Sequence, residues 1–418
     1  MKTTQLRRMA PYWLPGLVLF GILVLSQPIR AQDVIAQPPE IQITPPAVQE
    51  NPPSQMQVFT PTPPAPGTAP RPLQWGPVTF KPRAYYRFLY GNDIATVTSN
   101  HASTAIQTLS PGFFFGIGTH WTLDYAPTWS FYSNKQFRDT LDHNVRLTGG
   151  TSYEDWTFGF FQGYTASFQP LVETGTQTDQ ENYSTALTAS YLFNSEMSMD
   201  LGLYQNFVLT TAFENTREWS TMDWLNYQFW PRLAGSIGVG GGYVAVDTGD
   251  DMVYEHIEAR ARWRATDKLS VDVHGGVELR QVQNSSDNLV NPIAAARIQY
   301  QPFEVTRLSL NVDRKVEASY FQNQVTENTT VAAQLDQRLL KWLHFDFSAG
   351  YDQIQYVSSI QGTSGRKDNY WFVNVSLGCS ILKHGSAAVF YRRNENNSSA
   401  PGLSFASNQG GFELGYTF

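Results

Sequence analysis

Apolar and polar residues alternate along most of the chain after residue 78. Residues 197–209 show the pattern most clearly, because an apolar side chain recurs at nearly every second position and small or polar residues fill the positions between. Successive side chains of an extended strand point to opposite faces, so a period of two residues indicates a β-strand. The sequence therefore predicts strands with one apolar and one polar face.

The same period returns further along the chain, and there the polar face carries ionised groups. The segments that show it are residues 256–264, 269–280, 307–317, 343–352 and 371–378. No stretch beyond the N-terminal region approaches 18 apolar residues, and no helical i, i+3, i+4 pattern persists. Neither transmembrane helices nor a helical bundle is predicted.

Short and long connections alternate between these segments. Tight turns are predicted near Gly118-Thr119, Tyr153-Glu154, Asn194-Ser195, Trp230-Pro231, Thr266-Asp267, Pro302-Phe303, Lys341-Trp342 and Lys383-His384. They lie about 35 to 42 residues apart, which fits two strands of about 10 or more residues and a longer loop. The long loops are polar and are predicted at residues 174–182, 284–288, 362–368 and 394–401.

This asymmetry is typical of a barrel that crosses an outer membrane, with short turns on the periplasmic side. Eight turns and one strand beyond each end of the series predict about 18 strands, with a range of about 16 to 18. The fold class is thus all-β, a transmembrane antiparallel β-barrel formed by residues 78–418. A soluble β-sandwich also alternates, but the long, evenly spaced segments favour the barrel.

Aromatic residues near the predicted strand ends support the same fold. They are Trp121, Trp129, Trp156, Phe158, Phe229, Trp230, Trp263, Trp342 and Trp371. Tryptophan favours the headgroup boundary, since its ring is apolar and its N–H needs a partner. In a sandwich the same rings would be core residues.

The N-terminal region predicts export. Residues 1–31 combine a positive start with a stretch of about 14 mostly apolar residues, too short for a spanning helix of about 20, and are interpreted as a cleaved signal peptide. Residues 32–77 hold the proline pairs Pro38-Pro39, Pro45-Pro46 and Pro52-Pro53. Proline lacks an amide donor, so a disordered periplasmic tether is predicted there, with a docking strip for a partner as the alternative.

The last residues repeat the alternation up to the end of the sequence. Phe412, Leu414, Tyr416 and Phe418 share one face. This resembles the terminal insertion signal of bacterial outer-membrane proteins and implies recognition by the barrel-assembly machinery. A last strand with a free edge and an apolar face can pair with the first strand and close the ring.

Residues 78–418 also resemble a poorly characterised family of β-barrel porins. The resemblance rests on the overall pattern, the predicted entry strand from Trp75-Gly76 to Tyr90-Gly91, and Phe418. It implies the outer membrane of a Gram-negative cell, and some members of the family are associated with exopolysaccharide export.

The composition of the chain limits which partners and cofactors are expected. A net charge of −7 argues against nucleic acid as a partner. The only cysteine is Cys379, and the seven histidines lack HExxH or HxH spacing. No metal and no cofactor are therefore expected.

Ionised residues at alternate positions predict an aqueous lumen, because a charge on the lipid face costs several kcal/mol near the membrane centre. The candidates for lining it are Arg83, Arg87, Glu258, Arg260, Arg262, Arg264, Asp272, Glu278, Arg280, Arg307, Asp313, Lys315, Asp336 and Arg338. Their mixed charges would set a transverse field, or would pair across strands and only stiffen the wall.

The resulting hypothesis is a porin-like channel for passive diffusion of small polar or charged solutes. One alternative is a component or scaffold for surface polysaccharide export. Another is an outer-membrane hydrolase built on Ser270, Asp272 and His274, which share a face, but we expect no enzyme because this spacing is weak support for a triad. Membrane lipid and small solutes are the expected partners, and a homo-oligomer, such as a trimer, is expected by analogy with general porins.

Overall fold

The structure, a computed structural model, describes residues 73–94, 103–283, 288–321, 324–358, 365–381 and 384–417. All regular elements in these ranges are strands. They are β1 (Leu73–Trp75), β2 (Val78–Asn92), β3 (Ser103–Ile117), β4 (Trp121–Tyr132), β5 (Thr140–Tyr153), β6 (Trp156–Ser167), β7 (Gln180–Leu192), β8 (Met197–Thr210), β9 (Thr216–Trp230), β10 (Leu233–Val246), β11 (Met252–Thr266), β12 (Leu269–Val282), β13 (Asn288–Phe303), β14 (Thr306–Ala318), β15 (Gln324–Arg338), β16 (Leu343–Ser358), β17 (Lys367–Ile381), β18 (Gly385–Ser398) and β19 (Phe405–Thr417).

Strands β2 to β19 form one closed antiparallel barrel. Each strand pairs with the next in the sequence, and β19 pairs with β2 through the register Glu413 opposite Arg87. Closure leaves no free strand edge around the ring, as a barrel in a membrane requires. The predicted fold class and the predicted count of about 18 strands are confirmed.

Alternation decides which face of each strand turns outward. On β10, Val239 is 56% exposed and Ile237 is also exposed, whereas Ser236 between strands β9 and β11 is buried. The outer surface is therefore an apolar belt, and the polar face of the same strands lines the interior. This is the reverse of a soluble barrel, in which the apolar face is the buried one.

The connections divide the barrel into a turn mouth and a loop mouth. The turn mouth holds the short connections, such as the one at Gly118, which takes a φ of +60° between β3 and β4. Glycine suits this left-handed conformation because it has no side chain to clash. The loop mouth holds the longer connections, including residues 168–179 between β6 and β7.

All four predicted loop ranges overlap a strand, because β7 begins at Gln180, β13 at Asn288 and β17 at Lys367, and β18 continues to Ser398. The overlap is longest at the predicted loop 394–401, where residues 394–398 belong to β18, because Asn394 and Asn396 are polar interior residues of the strand and not loop residues. Residues 284–287 and 359–364, which include parts of two other predicted loops, lie outside the described residues, as does Lys383 of the last predicted turn.

The barrel's first pairing begins before residue 78. β1 forms a hairpin with β2 across Gly76, with Trp75 opposite Val78, and therefore occupies the end of the segment predicted as a tether. The predicted signal peptide, residues 1–31, and the rest of the tether lie outside the described residues, as does Phe418. Phe412, Leu414 and Tyr416 are exposed on the outer face of β19.

Within the described ranges, no helix is long and apolar enough to cross a membrane.

Candidate functional site: the barrel interior

The predicted lumen-lining residues occupy the polar face of β2, β11, β12, β14 and β15, opposite the exposed apolar belt. They fall into two groups that the sequence did not separate. One group is paired with neighbouring side chains, and the other is open to solvent.

The paired group includes contacts between residues far apart in the sequence. Arg83 makes a two-pronged contact with Asp124 of β4, with nitrogen–oxygen distances of 2.7 and 3.0 Å. Arg87, only 5% exposed, lies 3.3 Å from Glu413 and over the ring of Phe390. These pairs tie β2 to β4 and β19, so they stabilise the wall near the point of closure.

Two further candidates, Arg260 and Arg280, are each held by an aromatic ring and a hydrogen bond on β9 to β12. The guanidinium of Arg260 lies 4.2 Å from the Trp224 ring and donates to Asn226 Oδ1 at 3.0 Å. Arg280 lies over Tyr254, 4.7 Å from its ring centre, and donates to Glu278 at 2.8 Å. Stacking and hydrogen bonding leave these two guanidiniums little freedom to move.

Glycines on β10 make room for these rings. A Cβ at Gly238 would lie 2.6 Å from the Trp224 ring, and one at Gly242 would lie 2.6 Å from Tyr254. The glycine-rich stretch of β10 therefore leaves space on the interior face for the rings of Trp224 and Tyr254.

The open group lies toward the turn mouth. Arg262, Arg264, Arg307 and Arg338 are all exposed, and none makes an ion pair with another described residue. Arg297 joins them on the interior face, since it is opposite Asp272 in the register, and sequence reasoning missed it. The sequence pattern could have identified Arg297, because it lies between the apolar residues Ala296 and Ile298 on β13 and so belongs to the polar face.

Acidic side chains gather on the neighbouring part of the interior. Asp336 of β15 lies directly opposite Asp346 of β16. The two side chains are joined by a hydrogen bond, so they act on each other directly across the strands. Open arginines and the Asp336–Asp346 pair therefore lie on the same polar face of the strands, and Asp346 is a second residue that sequence reasoning missed.

The remaining predicted residues include the hydrolase candidates. His274 Nδ1 lies 2.8 Å from Glu258 Oε2, and the structure gives it no hydrogen bond to Ser270 or Asp272 among the described residues. Asp313 and Lys315 lie on the interior face of β14, where Lys315 contacts Glu317 at 2.8 Å. The geometry does not assemble the serine, histidine and carboxylate that acyl transfer needs.

Residues 168–179, which connect β6 and β7, extend across the loop mouth to the opposite side of the barrel. Val172 packs against Tyr370 and Phe372 of β17, on the opposite side of the ring from β6 and β7. Leu171 packs against Val208 and Tyr320. An apolar Leu-Val pair in a polar loop was the sequence signal for this crossing.

Glu173 holds the crossing segment at its centre. Its Oε1 accepts hydrogen bonds from Ser319 Oγ at 2.6 Å and from the Tyr320 amide at 3.0 Å. Its own carbonyl accepts one from Arg366 Nη1 at 2.7 Å. Burial raises the pKa of the Glu173 carboxyl to about 7, although the hydrogen bonds from Ser319 and Tyr320 oppose the rise.

The end of the β14–β15 hairpin crosses from the other side. Arg280 on the interior face of β12 donates to the Val316 carbonyl at 3.2 Å, and the Tyr320 carbonyl accepts from the Glu214 amide at 3.1 Å. The hairpin end is therefore folded inward until it reaches the β8–β9 connection. Together the two crossing segments, residues 168–179 and 316–321, narrow the loop mouth.

Two carboxylates among the loops have lowered pKa values. The backbone amide of Tyr132 lowers the pKa of Asp139, and hydrogen bonds from Asn215 and Arg217 lower that of Asp247. Both remain ionised at neutral pH, so the loop mouth carries fixed negative charge.

Within the described ranges, no cluster of three histidine, cysteine, aspartate or glutamate residues could hold a metal ion.

The second half of the barrel matches a known family. Residues 256–417, from β11 to β19, match the family model described as "Putative beta-barrel porin 2". No curated protein matches the chain.

Solved structures that match the chain include several from Pseudomonas aeruginosa. OccK2 (OpdF) is 10% identical, with 82% of this chain and 97% of that chain covered and a TM-score of 0.46. OpdO is 12% identical, with 81% and 97% covered and a TM-score of 0.45. OccAB3 of Acinetobacter baumannii is 12% identical, with 81% and 99% covered and a TM-score of 0.44.

The closed ring of strands, the apolar belt and the porin match define a bacterial outer-membrane β-barrel. Over residues 256–417, this barrel is similar to the porins of the matching family.

Proposed function

We propose that the protein is a channel for passive diffusion of small polar or charged solutes across the outer membrane. The observation that carries the proposal is the interior itself, where ionised side chains such as Arg262, Arg264 and Asp336 line a ring too wide for side chains to fill. Water and small solutes can occupy such an interior, whereas lipid cannot.

The finer part of the proposal assigns different roles to the two groups of charges. The stacked arginines Arg260 and Arg280 shape the wall, and the open arginines near the turn mouth attract anions. The carboxylate pair Asp336 and Asp346 supplies the opposite sign nearby. A transverse field across the water path would orient dipolar solutes and exclude apolar ones.

The crossing segments at the loop mouth set the size limit in this proposal. Solutes that pass must be small enough to move beside the contacts that Glu173 makes with Ser319 and Tyr320. We also propose that residues 1–31 are removed on export and that the segment predicted as a tether, residues 32–77, serves as one up to the start of β1 at Leu73.

Planar-bilayer recording of the purified mature protein tests the channel. Stable conductance steps in potassium chloride are the expected result. Their absence, with correctly folded protein in the membrane, would contradict the channel and favour a scaffold for surface polysaccharide export.

A further inference from the structure

The outer face of the barrel carries an open slot where the ring of strands closes. Tyr391 of β18 is opposite Gly410 of β19, and Gly410 is opposite Tyr90 of β2, so the three residues form one row. Tyr391 is 47% exposed and Tyr90 is 58% exposed. Because neighbouring strands lie about 4.8 Å apart, the two tyrosine backbones stand about 10 Å apart with no side chain between them. We call this space the tyrosine slot.

Packing of the barrel does not require glycine at position 410. A Cβ at Gly410 would have one atom within 4 Å, the Phe390 carbonyl oxygen at 3.7 Å, which is an ordinary contact. The neighbouring Gly411 differs, because a Cβ there would clash with the Phe88 carbonyl oxygen. A glycine inside a strand weakens the strand and often marks a place that a ligand approaches closely. The space above Gly410 is therefore available to a ligand.

The slot lies where the outer face changes from apolar to polar. The next row toward the turn mouth is apolar and holds Val389, Phe412 and Phe88. The next row toward the loop mouth is polar and holds Asn408, Asn92 and Ser103. The loop mouth of an outer-membrane barrel faces the cell exterior, and exposed tyrosines favour the boundary between hydrocarbon and water. The slot is therefore at the level of the lipid headgroups of the outer leaflet.

Hydrogen bonds hold Asn408 beside the slot. The Tyr391 hydroxyl donates to Asn408 Oδ1 at 2.7 Å, and the Asn408 backbone N–H donates to Asn92 Oδ1 at 2.9 Å. The side-chain NH₂ group of Asn408 has no acceptor among the described residues. It therefore offers N–H donors to a ligand in the slot.

These features match the chemistry of a sugar ring. A sugar ring has C–H groups on its faces, which pack on the negative faces of aromatic rings, and hydroxyl groups at its edge, which need hydrogen-bonding partners. The slot offers two tyrosine rings and, toward the loop mouth, amide groups. Its volume of about 410 Å³ is within the range of about 300 to 1,000 Å³ for sites that bind small molecules.

Charge beside the slot favours a neutral ligand. Arg393 is opposite Asn408 in the polar row, but it lies 3.5 Å from Glu395 and over the ring of Trp371. A carboxylate therefore matches this cation. An uncharged sugar suits such surroundings better than a phosphate headgroup, which binds best to unmatched cations.

We propose that the tyrosine slot binds the sugar headgroup of a glycolipid in the outer leaflet. The sugar lies over Gly410 between Tyr391 and Tyr90, and Asn408 donates to its hydroxyl groups. The alkyl chain of the same molecule runs toward the turn mouth along the adjoining apolar row, which belongs to the outer belt. The site faces lipid and is separate from the water path of the proposed channel.

Photolabelling of the mature barrel in phosphatidylcholine vesicles tests the site. The probe is an alkyl glucoside with a diazirine in its chain beside the sugar, and labelled peptides are identified by mass spectrometry. Label is expected to concentrate on the peptides that contain Tyr90, Tyr391 and Gly410. Labelling spread over the outer belt in proportion to exposure would overturn the proposal.

Two comparisons establish what the slot recognises. A phosphatidylcholine with a diazirine at the same place in its chain should label the belt evenly, and equal enrichment of this probe at the slot would contradict recognition of the sugar. An excess of free glucose should leave labelling by the glucoside unchanged, because the alkyl chain supplies most of the apolar area that binding buries. Displacement of the probe by free glucose would contradict a ligand from the membrane.

A variant that fills the slot sharpens the test. Gly410→Leu should lower labelling of the slot peptides about tenfold, the factor that corresponds to about 1.4 kcal/mol of lost contacts. The matched control is Gly275→Leu, because Gly275 is an outer-face glycine of β12 whose Cβ would also make only ordinary contacts, the nearest at 3.5 Å. This control should leave labelling of the slot unchanged. Equal labelling of the two variants would contradict the site.

Folding of each variant is checked by heat-modifiable migration in gels. If Gly410→Leu does not fold, Tyr90→Leu removes one wall of the slot and carries the same expectation, with Tyr300→Leu on the outer belt as its control. The bilayer conductance of the folded variants should stay at the wild-type value, since the slot lies on the outer face. A loss of conductance together with labelling would contradict a site separate from the channel.

Discussion

Arginines in the barrel interior differ in what holds them. Arg260 has an aromatic ring on one side and an amide oxygen within hydrogen-bonding distance, whereas Arg262 and Arg264 on the same strand are exposed. A fixed, paired guanidinium contributes mostly to the wall, and an exposed one contributes mostly to the potential that an ion meets. The position of each arginine along β11 therefore decides whether it mainly holds the wall together or mainly sets the potential in the interior.

Replacement of the exposed pair should change ion selectivity. Arg262→Gln with Arg264→Gln removes two positive charges from the water path, so the preference for chloride over potassium should fall. The reversal potential under a salt gradient measures this change. Arg393→Gln is the matched control, because Arg393 lies over the ring of Trp371 on the outer face, and its loss should leave the reversal potential unchanged.

The Glu173 carboxyl should make the loop mouth sensitive to pH. Its pKa in the crossing arrangement is about 7, above the ordinary value of about 4.3. The crossing arrangement thus holds the proton more tightly than an opened one. Its extra stability is complete below the ordinary pKa and is lost as pH rises through about 7.

Conductance should therefore be higher at pH 8 than at pH 5, because burial disfavours the ionised Glu173 carboxylate and the crossing arrangement loses stability relative to an opened one in which the charge meets water. The hydrogen bonds from Ser319 and Tyr320 offset only part of this cost. Glu173→Gln should abolish this dependence and stay at the low-pH level. Asp139→Asn is the control, since the lowered pKa of Asp139 keeps it ionised throughout this range. A wild-type conductance that does not change with pH would contradict the role of Glu173.

Alternation was enough to predict which face of a strand a residue occupies, and residues such as Arg83 and Asp336 were assigned from it. Their partners were not predictable in the same way. Arg83 and Asp124 are 41 residues apart, and they meet only because the register of β2 with β3 and of β3 with β4 brings them together. Register depends on turns whose geometry a single sequence does not specify.

Two elements depart from a plain barrel, and both do so at the loop mouth. Residues 168–179 cross to β17, and the β14–β15 hairpin folds inward to meet them. Their contacts are largely apolar, through Leu171, Val172 and Tyr320. The sequence suggested a polar loop at residues 174–182, and the apolar residues that drive the crossing stand just before that range.

Loss of the apolar contacts should widen the mouth. Leu171→Ser with Val172→Ser removes the side chains that pack on Val208 and Tyr370, so conductance should rise and larger neutral solutes should enter. Swelling of vesicles in sugars of increasing size measures the limit. Thr176→Ser, a small change in the same loop, should leave the limit unchanged, and an unchanged limit in the double variant would contradict the crossing as the constriction.

The strand count was predictable because every short turn of the barrel is also a break in the alternation. The end of β18 was not, since Asn394 and Asn396 look like loop residues and are instead interior residues of a strand. In a membrane barrel the polar face is the inner one, so polar composition does not distinguish a loop from the top of a strand.

At the scale of the whole molecule, the residues of the outer belt must be apolar because they contact the hydrocarbon of the membrane. Val239→Arg places a charge on the outer face of β10 and should lower the free energy of unfolding by about 2 to 4 kcal/mol near the membrane centre. Gln299→Arg, on the interior face of β13, should cost much less, because its charge meets water. Urea titration of the barrel in vesicles compares the two, and equal losses would contradict the assigned faces.

The apolar face of each strand should contact lipid and the polar face should contact water. Spin labelling of adjacent residues on one strand tests this arrangement most directly. With Cys379→Ser as background, a nitroxide is placed in turn at positions 308, 309 and 310 of β14, and its collision rates with oxygen and with a water-soluble nickel complex are measured in vesicles. The labels that replace Leu308 and Leu310 should meet oxygen, and the label that replaces Ser309 should meet nickel. Three labels with the same ratio of the two rates would contradict an apolar outer wall around a water-filled interior.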